Sequence, residues 1–472
     1  MEKYAQKLPL ELKLEILTNL PYQDVMFFTD PHFWHVYWKK YIEQHPPTNS
    51  FNPNPEQAHV LRLIGEGRNV FIHAPAGTGK SAILKHYYNT HSQKNTVGIT
   101  STTGISALNI GGVTLHSYLG IGLGKEDVNK LYNKLITSRE KLETWKNMKT
   151  LIIDEVSMLD PKLFEKLEIL ARKIRGSSKP FGGVQLVFTG DLFQLPCVSD
   201  SADLIVASQS FRKCIDVTVE LRCIVRQQDD VFKRVLNKIR RGIVDDHVIT
   251  TLQKRVCSPS PNLTIKPTKL FCTKKAVAVI NDRELDKLAA KGHQFREYNM
   301  MFCNTKSLNP TSFEYIKQTF IKNSTTPNKL QLCLGAQVML TFNQSTQLVN
   351  GSRGVVVGFT TDDLPIVEFL CGQICVKPVQ FTLHAVVHGT VKQVGYVTQI
   401  PLKIAYALTI HSSQGSTLDC VFVDLRDVFE YGQAYTALSR VRTLDGLYLK
   451  DFDLGVIQAH PVALSFENEN EN

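Results

Sequence analysis

The segment VFIHAPAGTGKSAIL (70–84) constrains the fold more than any other part of the sequence. An apolar, strand-like run is followed by a turn of small residues, then by Lys80 and Ser81 at the start of a helix-like pattern. A phosphate cradle needs this order, because backbone N–H groups and a helix N-terminus must converge on the phosphates. Ala74 stands where the usual pattern has its first glycine, a mild departure because that residue only enters the turn. The segment predicts a P-loop nucleotide site.

The residue types of this loop indicate separate tasks. We expect Gly77, Thr78 and Gly79 to wrap the phosphates with their backbone N–H groups. We expect Lys80 to reach the β- and γ-phosphates of ATP, and Ser81 to ligate the accompanying Mg²⁺. An accidental strand–turn–helix is the alternative, but strand and helix both stand where the cradle requires them.

An acidic pair ends a second strand-like run, LIIDEVSM (151–158). We expect Asp154 to hold Mg²⁺ through water, and Glu155 to polarise the water that attacks the γ-phosphate. A solvated pair at a strand end is the alternative, and such pairs are common. Beside a P-loop, the pair indicates the acidic half of a nucleotide hydrolase.

Two arginines far downstream indicate that a second domain closes over the nucleotide. Arg226 lies in VRQQDD (225–230) and Arg440 in QAYTALSRVR (433–442). A guanidinium aimed at the γ-phosphate accelerates hydrolysis by about 10³–10⁵. Each arginine alone would more often be a surface ion pair, so this prediction depends on the surrounding motifs.

Strand-like runs alternate with helical patterns from about residue 50 to 200, which predicts an α/β fold. The runs are nearly continuous apolar segments, as expected of parallel strands covered on both faces. Short strands and turns replace this pattern around 330–400, which indicates an inserted β-barrel. The predicted domains are a helical extension (1–48), a first α/β domain (49–200), a second in two pieces (201–290 and 400–458), an inserted domain (291–399) and a disordered polar tail (459–472).

Composition narrows the class of protein. The 472 residues are 43% hydrophobic and 21% charged, as in soluble globular domains, and no apolar run approaches the ~18 residues that span a bilayer. The charged N-terminus predicts no secretory signal. The ten cysteines are scattered, which favours reduced thiols in an intracellular compartment. A net charge of +10 is compatible with a polyanionic partner.

Five longer segments surround these residues. They are ITSTTGISALNIGGVTLHSYLGIG (99–122), the stretch from DEVSMLD to TGDLFQLP (154–196) with PFGGVQ inside it, PTKLFCTKKAVAVIN (267–281), the stretch from KLQLCLGAQVML to SRGVVVGF (329–359), and the stretch from LTIHSSQGSTLD to YTALSR (408–440). Together these segments resemble the petite-integration-frequency (Pif-one-like) helicases, which belong to the 5′→3′ branch of superfamily one. The resemblance runs in order from about residue 50 to 455.

The resemblance implies an architecture and an activity. The fold would comprise two RecA-like P-loop domains with ATP between them and single-stranded DNA across both, a wedge insertion near 116–145 and an SH3-like β-barrel near 330–398. The activity would be that of an ATP-dependent DNA helicase moving 5′→3′ and unwinding forked or duplex DNA in replication, repair or recombination. It would be a monomer without membrane association, in the nucleus or at another site of DNA replication.

Several residues take their roles from the resemblance. Gln57 would read the adenine, Gln194 in TGDLFQLP would sense the γ-phosphate, and Gln414 and Gly415 would serve the nucleotide side of the cleft. For the DNA residues the structural alternatives are core histidines and a plain hairpin turn. The residues that would face DNA are Thr102 or Thr103, His116, Phe193, His411 and the loop Asn350-Gly351-Ser352-Arg353.

One residue departs from the family pattern. Ser412 follows His411 where the family usually has lysine. A lysine–phosphate contact is therefore missing or supplied elsewhere. The departure concerns the DNA track and leaves the residues assigned to the nucleotide unchanged.

The N-terminal segment leaves two readings open. Residues 8–34 are similar to an F-box, which would dock a ubiquitin-ligase adaptor, whereas a helical extension packing Leu14, Leu17, Phe33 and Trp34 is the simpler alternative.

Two other functions compete with the helicase. One is an ATP-driven remodeller that strips proteins from nucleic acid without net unwinding, and the other is a partner-recruiting adaptor with a vestigial ATPase. The intact nucleotide residues argue against the vestigial form.

Overall fold

The computed structural model describes residues 51–472 apart from 92–95, 198–202, 228, 260–262, 264, 306–307, 343, 345–347, 349, 388–389, 415, 452 and 472. The predicted helical extension (1–48) and its F-box-like pattern lie outside the described residues. Across the part of the chain that is described, no helix combines the length and apolar character needed to cross a membrane.

The first lobe is an α/β domain whose sheet is entirely parallel. Its elements are α1 (Pro55–Gly65), β1 (Val70–His73), α2 (Lys80–Thr90), β2 (Val97–Ser101), α3 (Gly104–Asn109), β3 (Val113–Thr114), α4 (Leu115–Leu119), α5 (Val128–Thr137), α6 (Arg139–Asn147), β4 (Thr150–Asp154), α7 (Pro161–Arg175), β5 (Gln185–Gly190), α8 (Gln209–Cys214) and β6 (Val217–Glu220).

The strand order of this sheet is β3-β2-β4-β5-β1-β6. Strands β1, β2 and β4 are buried along their whole length, because their apolar side chains are covered on both faces. Strand β5 separates β1 from β4, and all of these strands run in the same direction. The P-loop after β1 and the acidic pair after β4 therefore open onto the same edge of the sheet, where open α/β sheets bind ligands.

The remainder of the chain forms a second lobe with an insertion. Its elements are α9 (Asp230–Arg240), α10 (Asp246–Gln253), β7 (Thr268–Phe271), α11 (Lys274–Ala290), β8 (Arg296–Asn299), β9 (Met301–Asn304), α12 (Pro310–Asn323), β10 (Lys329–Leu332), β11 (Gln337–Leu340), β12 (Arg353–Phe359), β13 (Pro365–Phe369), β14 (Gly372–Cys375), β15 (Val379–Val387), β16 (Thr390–Gln399), β17 (Leu402–Ile404), β18 (Ala407–Thr409), α13 (Ile410–Ser413), β19 (Val421–Asp424), α14 (Gln433–Leu438), β20 (Leu447–Asp451) and α15 (Pro461–Glu471).

The second lobe repeats the parallel design of the first on a smaller scale. Its sheet has the order β18-β7-β19-β20, and all three pairings are parallel. Two parallel sheets flanked by helices confirm the predicted α/β fold class.

The insertion is antiparallel, as the change in sequence texture predicted. Strands β14-β13-β12-β11-β17 form a five-stranded sheet. It has a hydrophobic core of its own, in which Val338, Val356, Val367 and Leu402 are fully or almost fully buried. A three-stranded sheet β15-β16-β9 and a pair β10-β8 accompany it.

The wedge insertion is a small helical unit made of α4, α5 and α6, and it is anchored in the core of the first lobe. Trp145 is fully buried and its indole N–H donates to the Leu119 carbonyl at 3.0 Å. The Phe181 ring of the PFGGVQ motif stacks near Trp145, with ring centroids 6.4 Å apart. Arg175 donates to the carbonyls of Trp145 and Gly182, so one cation joins the wedge to that motif.

The prediction that residues 459–472 form a disordered tail is wrong for most of this segment. Residues Pro461–Glu471 form helix α15, and the side chains of Ala463 and Phe466 are buried. Glu467 forms an ion pair with the buried Arg240 at 2.9 Å. The polar repeat FENENEN suggested a solvated segment, but its phenylalanine and one glutamate are held by tertiary contacts that composition cannot reveal.

Candidate active site

The P-loop has the backbone geometry of a phosphate cradle. Gly77 and Gly79 take φ angles of 85° and 87°, a left-handed conformation that only glycine adopts without strain, and Gly79 is the N-cap residue of α2. A Cβ atom at Gly77 would lie 2.5 Å from the Cβ of Arg226. The loop therefore leaves no room for larger residues where the chain after β6 crosses it.

Side chains of the loop hold its shape. The Lys80 ammonium donates to the carbonyls of Ala74 and Pro75 at 2.8 and 2.9 Å. Burial lowers the pKa of Lys80, while the nearby carboxylates of Asp191, Glu155 and Asp154 act in the opposite direction. A triphosphate entering the cradle would offer this ammonium anionic oxygens in place of two neutral carbonyls.

Gln57 and Thr78 complete the loop on the side of helix α1. The Gln57 side-chain amide donates to the Thr78 carbonyl at 3.1 Å, and the buried Thr78 hydroxyl donates to the Pro75 carbonyl at 3.1 Å. Gln57 is thus placed beside the cradle, as its predicted role in adenine recognition requires.

The Asp154 carboxylate collects hydroxyl donors from three elements. It is 1% exposed. Ser81 and Ser106 both donate to its Oδ2, at 3.2 and 3.0 Å, and Thr189 donates to its Oδ1. Oxygen ligands of this kind are those that Mg²⁺ prefers. The close approach of Ser81 to Asp154 therefore fits the predicted magnesium site.

Glu155 combines an unusual backbone with an unusual acidity. Its φ and ψ angles of 56° and 47° place it in the left-handed region, where a non-glycine residue stores strain and often marks a functional site. Burial, and next the charge of Asp154, raise the pKa of Glu155 to about 7. Thr102 donates its hydroxyl to the Glu155 carbonyl at 2.8 Å. A residue predicted to face DNA thus contacts the predicted catalytic base directly.

Two glutamines, one from each lobe, contact each other beside this carboxylate. The Gln414 side-chain amide donates to Glu155 Oε2 at 3.3 Å and to Gln194 Oε1 at 3.4 Å. Gln194 donates in turn to Asp191 Oδ2 at 3.3 Å. The structure thereby brings the predicted γ-phosphate sensor and a second-lobe residue into one cluster.

Arg440 is buried in the cleft, and Arg226 lies half-buried beside it. Arg440 is 2% exposed and donates to the Thr436 carbonyl and the Ser439 hydroxyl, both at 2.9 Å. Arg226 donates to the Ser439 carbonyl at 3.4 Å. Burial and the charge of Arg440 lower the pKa of Arg226 to about 9. Both guanidinium groups contact neutral oxygens, so the surface ion-pair alternative does not describe them.

Sequence reasoning missed several residues that join the two lobes. The Tyr435 hydroxyl accepts the Ala76 N–H of the P-loop at 3.2 Å. Gln227 is buried and donates to the Ser439 and Val441 carbonyls at 3.1 and 3.0 Å. Both lie inside the motifs quoted for Arg226 and Arg440, so attention to the neighbours of those arginines could have found them.

The predicted DNA residues separate into two groups. Thr102 and Thr103 lie at the carboxyl end of β2, where the Thr103 hydroxyl caps helix α3, and both are partly exposed. His116 lies on α4, and partial burial lowers its pKa. His411 is partly exposed on α13. These four residues are accessible at the surface and remain candidates for DNA contact.

Phe193 and Arg353 are not placed to face DNA in this structure. Phe193 is 1% exposed, and its ring lies 4.3 Å from the Arg240 guanidinium. Arg353 is 2% exposed and donates to the Cys420 carbonyl at 3.1 Å, so it anchors the inserted sheet to the second lobe. Burial lowers the pKa of Arg353 to about 10. Ser352 is also buried, so none of these three side chains faces an open DNA track in this structure, contrary to the prediction.

The loop before β12 has a tight contact instead of an open surface. Gly351 takes a φ of 103°, and a Cβ atom there would lie 1.8 Å from the Thr417 carbonyl oxygen. Asn350, which is partly exposed, accepts the Thr417 N–H at 3.4 Å. The loop therefore packs against the segment that follows the SQG motif. Gly415 itself lies outside the described residues.

Ser412, which replaces the family lysine, has a structural task. Its hydroxyl accepts the Thr409 N–H at 3.1 Å, and the Thr409 hydroxyl accepts the Ser412 N–H at 3.0 Å. This reciprocal pair is a capping box at the start of α13. A lysine could not complete it.

Comparisons with known proteins agree with this geometry. The family model PIF1-like helicase matches residues 53–248, and the model of the Pif1 helicase 2B domain matches residues 317–359. The crystal structure of the Pif1 helicase from Candida albicans has 33% sequence identity and a TM-score of 0.67, with 89% of this chain and 100% of that chain covered. The chain belongs to the PIF1-like helicase family.

Two relatives set the scope of this PIF1-like assignment. Protein 030L of Invertebrate iridescent virus 6 is 40% identical, over 89% of this chain and 94% of its own length. The human ATP-dependent DNA helicase PIF1 is 39% identical over 89% of this chain, but the match spans only 64% of that protein. The family is thereby established for the part of the chain that these matches cover, which includes the two lobes. We call the two lobes together the motor.

Proposed function

We propose that this PIF1-like chain is an ATP-dependent DNA helicase that moves 5′→3′ on single-stranded DNA and separates forked or duplex DNA. The observation that carries the proposal is the contact of both lobes with one nucleotide cleft. Tyr435 and Gln414 of the second lobe contact the P-loop and Glu155 of the first. Nucleotide binding and release at such a cleft change the separation of the lobes, which is the movement a translocating motor needs.

The cleft residues divide the hydrolysis step among them. Lys80 binds the β- and γ-phosphates, Glu155 accepts a proton from the attacking water, and Arg226 and Arg440 stabilise the charge that develops on the γ-phosphate. Ser81 and Asp154 would hold Mg²⁺, which supplies neutralisation of the phosphate charge when bound. The raised pKa of Glu155 suits a base that must take up a proton near neutral pH.

Thr102 provides a route from DNA to this chemistry. Its N–H donates to the Asp154 carbonyl at 3.2 Å and its hydroxyl donates to the Glu155 carbonyl. A DNA strand bound along Thr102, Thr103 and His411 would therefore shift the backbone that carries the two acidic residues, one at the end of β4 and one directly after it. This arrangement favours ATP hydrolysis that accelerates when single-stranded DNA is present.

Two experiments test the proposal in sequence. ATP turnover is measured with and without single-stranded DNA, and stimulation is expected. Forks with only a 5′ or only a 3′ tail then give the direction, and unwinding confined to the 3′-tailed fork would refute 5′→3′ movement. Stimulated turnover with displacement of a bound protein but no strand separation would instead favour the remodeller.

Finer proposals about assembly and location accompany this one. We propose that the motor acts as a monomer at a site of DNA replication, such as the nucleus. For residues 8–34, a plain helical extension and F-box-like docking of a ubiquitin-ligase adaptor both stay open. These proposals rest on the sequence alone. Light scattering of the purified chain tests the first, and pull-down of a ubiquitin-ligase adaptor by residues 1–48 compared with the chain lacking them tests the last.

A further inference from the structure

A single buried guanidinium connects helix α15 to the motor. Arg240 on α9 is 1% exposed. Its Nε donates to Asp191 Oδ1 at 3.1 Å, its Nη1 donates to Glu467 Oε1 at 2.9 Å, and its Nη2 lies 2.8 Å from His73 Nε2. The guanidinium also covers the Phe193 ring at 4.3 Å. Three parts of the chain that are distant in sequence thus converge on one cation.

The partners of this cation determine its orientation. A buried charge is stable only when it is paired and hydrogen-bonded, and the Arg240 fork is planar and rigid. Asp191 accepts from Nε of that guanidinium, and Glu467 accepts from Nη1. Because the group is rigid, the contact with Glu467 also sets the direction in which Nε points at Asp191. Glu467 also pairs with Arg241 at 2.8 Å. Loss of the Glu467 carboxylate would remove the contact at Nη1 and leave the guanidinium held only by Asp191 at Nε and by His73 at Nη2.

A continuous series of hydrogen bonds leads from there to the catalytic carboxylate. The second oxygen of Asp191 accepts from Gln194 at 3.3 Å. Gln194 accepts from Gln414 at 3.4 Å, and Gln414 donates to Glu155 at 3.3 Å. Asp191 therefore stands between Arg240 and the residue predicted to sense the γ-phosphate.

Helix α15 is seated firmly enough to act on this series. Phe466, one residue before Glu467, packs against Phe71 and His73 of β1 with ring centroids 5.9 and 6.4 Å apart. Strand β1 leads directly into the P-loop. Glu469, on the same helix, makes a surface ion pair with Arg212, and both side chains are 54% exposed.

We propose that helix α15 is a positioning element of the motor, in which Glu467 acts through Arg240 and Asp191 to aim Gln194 at the γ-phosphate. The inference rests on the proposed function for its ligand, a nucleoside triphosphate. Glu467 touches no nucleotide itself. Its effect is on the discrimination between triphosphate and diphosphate, because Gln194 can contact only the former.

The test compares Glu467→Ala with the matched control Glu469→Ala in the full chain. Affinities for fluorescent ADP and for a slowly hydrolysed ATP analogue are measured without DNA. We expect Glu467→Ala to lower the preference for the triphosphate about tenfold while ADP affinity stays the same, the scale on which residues acting through others alter coupling. Glu467→Gln, which keeps an acceptor for Arg240, should recover part of the preference. Glu469→Ala should match the unaltered protein.

A purely structural role predicts a different result. Glu467→Ala would then lower the melting temperature and leave the triphosphate preference unchanged, which would overturn the proposal. Should Glu467→Ala fail to fold, Glu467→Gln and Arg240→Lys take its place, and an unchanged preference in both would overturn it equally. Since the measurement uses no DNA, it stands apart from the helicase assays. Absence of DNA-stimulated turnover would count against the proposed function and not against this inference.

Discussion

The Gln414 side-chain amide of the second lobe lies 3.3 Å from the Glu155 carboxylate of the first. The same amide contacts the Gln194 side chain at 3.4 Å. One donor therefore spans the cleft to the predicted base and to the predicted γ-phosphate sensor. Movement of either lobe must change both contacts, which gives lobe closure a direct effect on the hydrolytic residues.

Replacement of Glu155 by glutamine should stop hydrolysis without preventing DNA binding. The amide keeps the size of the side chain but cannot accept a proton, and general bases contribute about 10²–10⁴ to rate. We expect DNA-stimulated ATP turnover to fall by at least about a hundredfold, with single-strand affinity by fluorescence anisotropy unchanged. Turnover equal to that of the unaltered protein would refute the assigned role.

Arg440→Ala should reduce the rate of ATP hydrolysis far more than it reduces the affinity for the nucleotide. The guanidinium is buried in the cleft, and loss of an arginine that contacts the transferring phosphate costs about 10³–10⁵ in rate. The matched control is Arg442→Ala, because Arg442 pairs with Asp419 at 3.9 Å on the partly exposed side of the same segment. Single-turnover hydrolysis distinguishes them, and an equal loss in both variants would exclude a specific role for Arg440.

Ser412→Lys should lower the stability of helix α13 and raise the affinity for single-stranded DNA. The change removes the Ser412 hydroxyl that accepts the Thr409 N–H, a hydrogen bond worth about 1 kcal/mol, and it introduces the lysine that is usual in the family. We expect tighter single-strand binding and a slope of log affinity against log salt that is steeper by about 0.7, the value for one added phosphate contact. Ser412→Ala removes the same hydrogen bond without adding a charge and should leave the slope unchanged. An unaltered slope in Ser412→Lys would place position 412 away from the DNA track.

The salt dependence of binding tests the electrostatic track itself. If about five phosphates are held, log affinity for single-stranded DNA should fall with log salt at a slope near −3.5. Titration by anisotropy over a range of potassium chloride concentrations measures this value. A slope near zero would remove phosphate contacts from the proposed function.

His73 should make the protein less stable as the pH falls below about 6.5. Burial, and next the Arg240 charge, lower the pKa of His73 to about 3. The Asp191 charge acts to raise this pKa, and the charges of Lys80 and Arg241 act to lower it. The unfolded chain binds a proton there near pH 6.5 while the folded protein does not. The stability contributed is therefore complete above pH 6.5 and decreases by up to about 1.4 kcal/mol per pH unit below it.

The variant His73→Gln isolates this effect. Glutamine keeps an acceptor for Arg240 and does not titrate. Urea unfolding at pH 7 and pH 5 should show a smaller loss of unfolding free energy in the variant than in the unaltered protein. Equal losses in both proteins would show that His73 binds its proton over the same pH range in the folded and the unfolded chain, and would refute the lowered pKa.

The nucleotide half of the site could be predicted because its residues are close in sequence to the elements that place them. Lys80 and Ser81 begin the helix after β1, and Asp154 and Glu155 stand at the end of β4. The two strands are parallel members of one sheet, so these residues reach the same edge. The DNA residues were harder to predict. Phe193 and Arg353 lie in motifs of the right family, yet their side chains are buried, and a motif does not state which way a side chain points.

The sequence by itself determined the fold class, the phosphate cradle and the family, because each depends on local order: a strand, a turn of small residues, a helix and an acid-ended strand. Only the tertiary structure decided that Tyr435 and Gln414 reach the opposite lobe, and that the polar C-terminal segment is a helix joined to the motor through Glu467 and Arg240. Such contacts link residues more than 200 positions apart. They depend on burial and charge pairing in three dimensions, which no local pattern encodes.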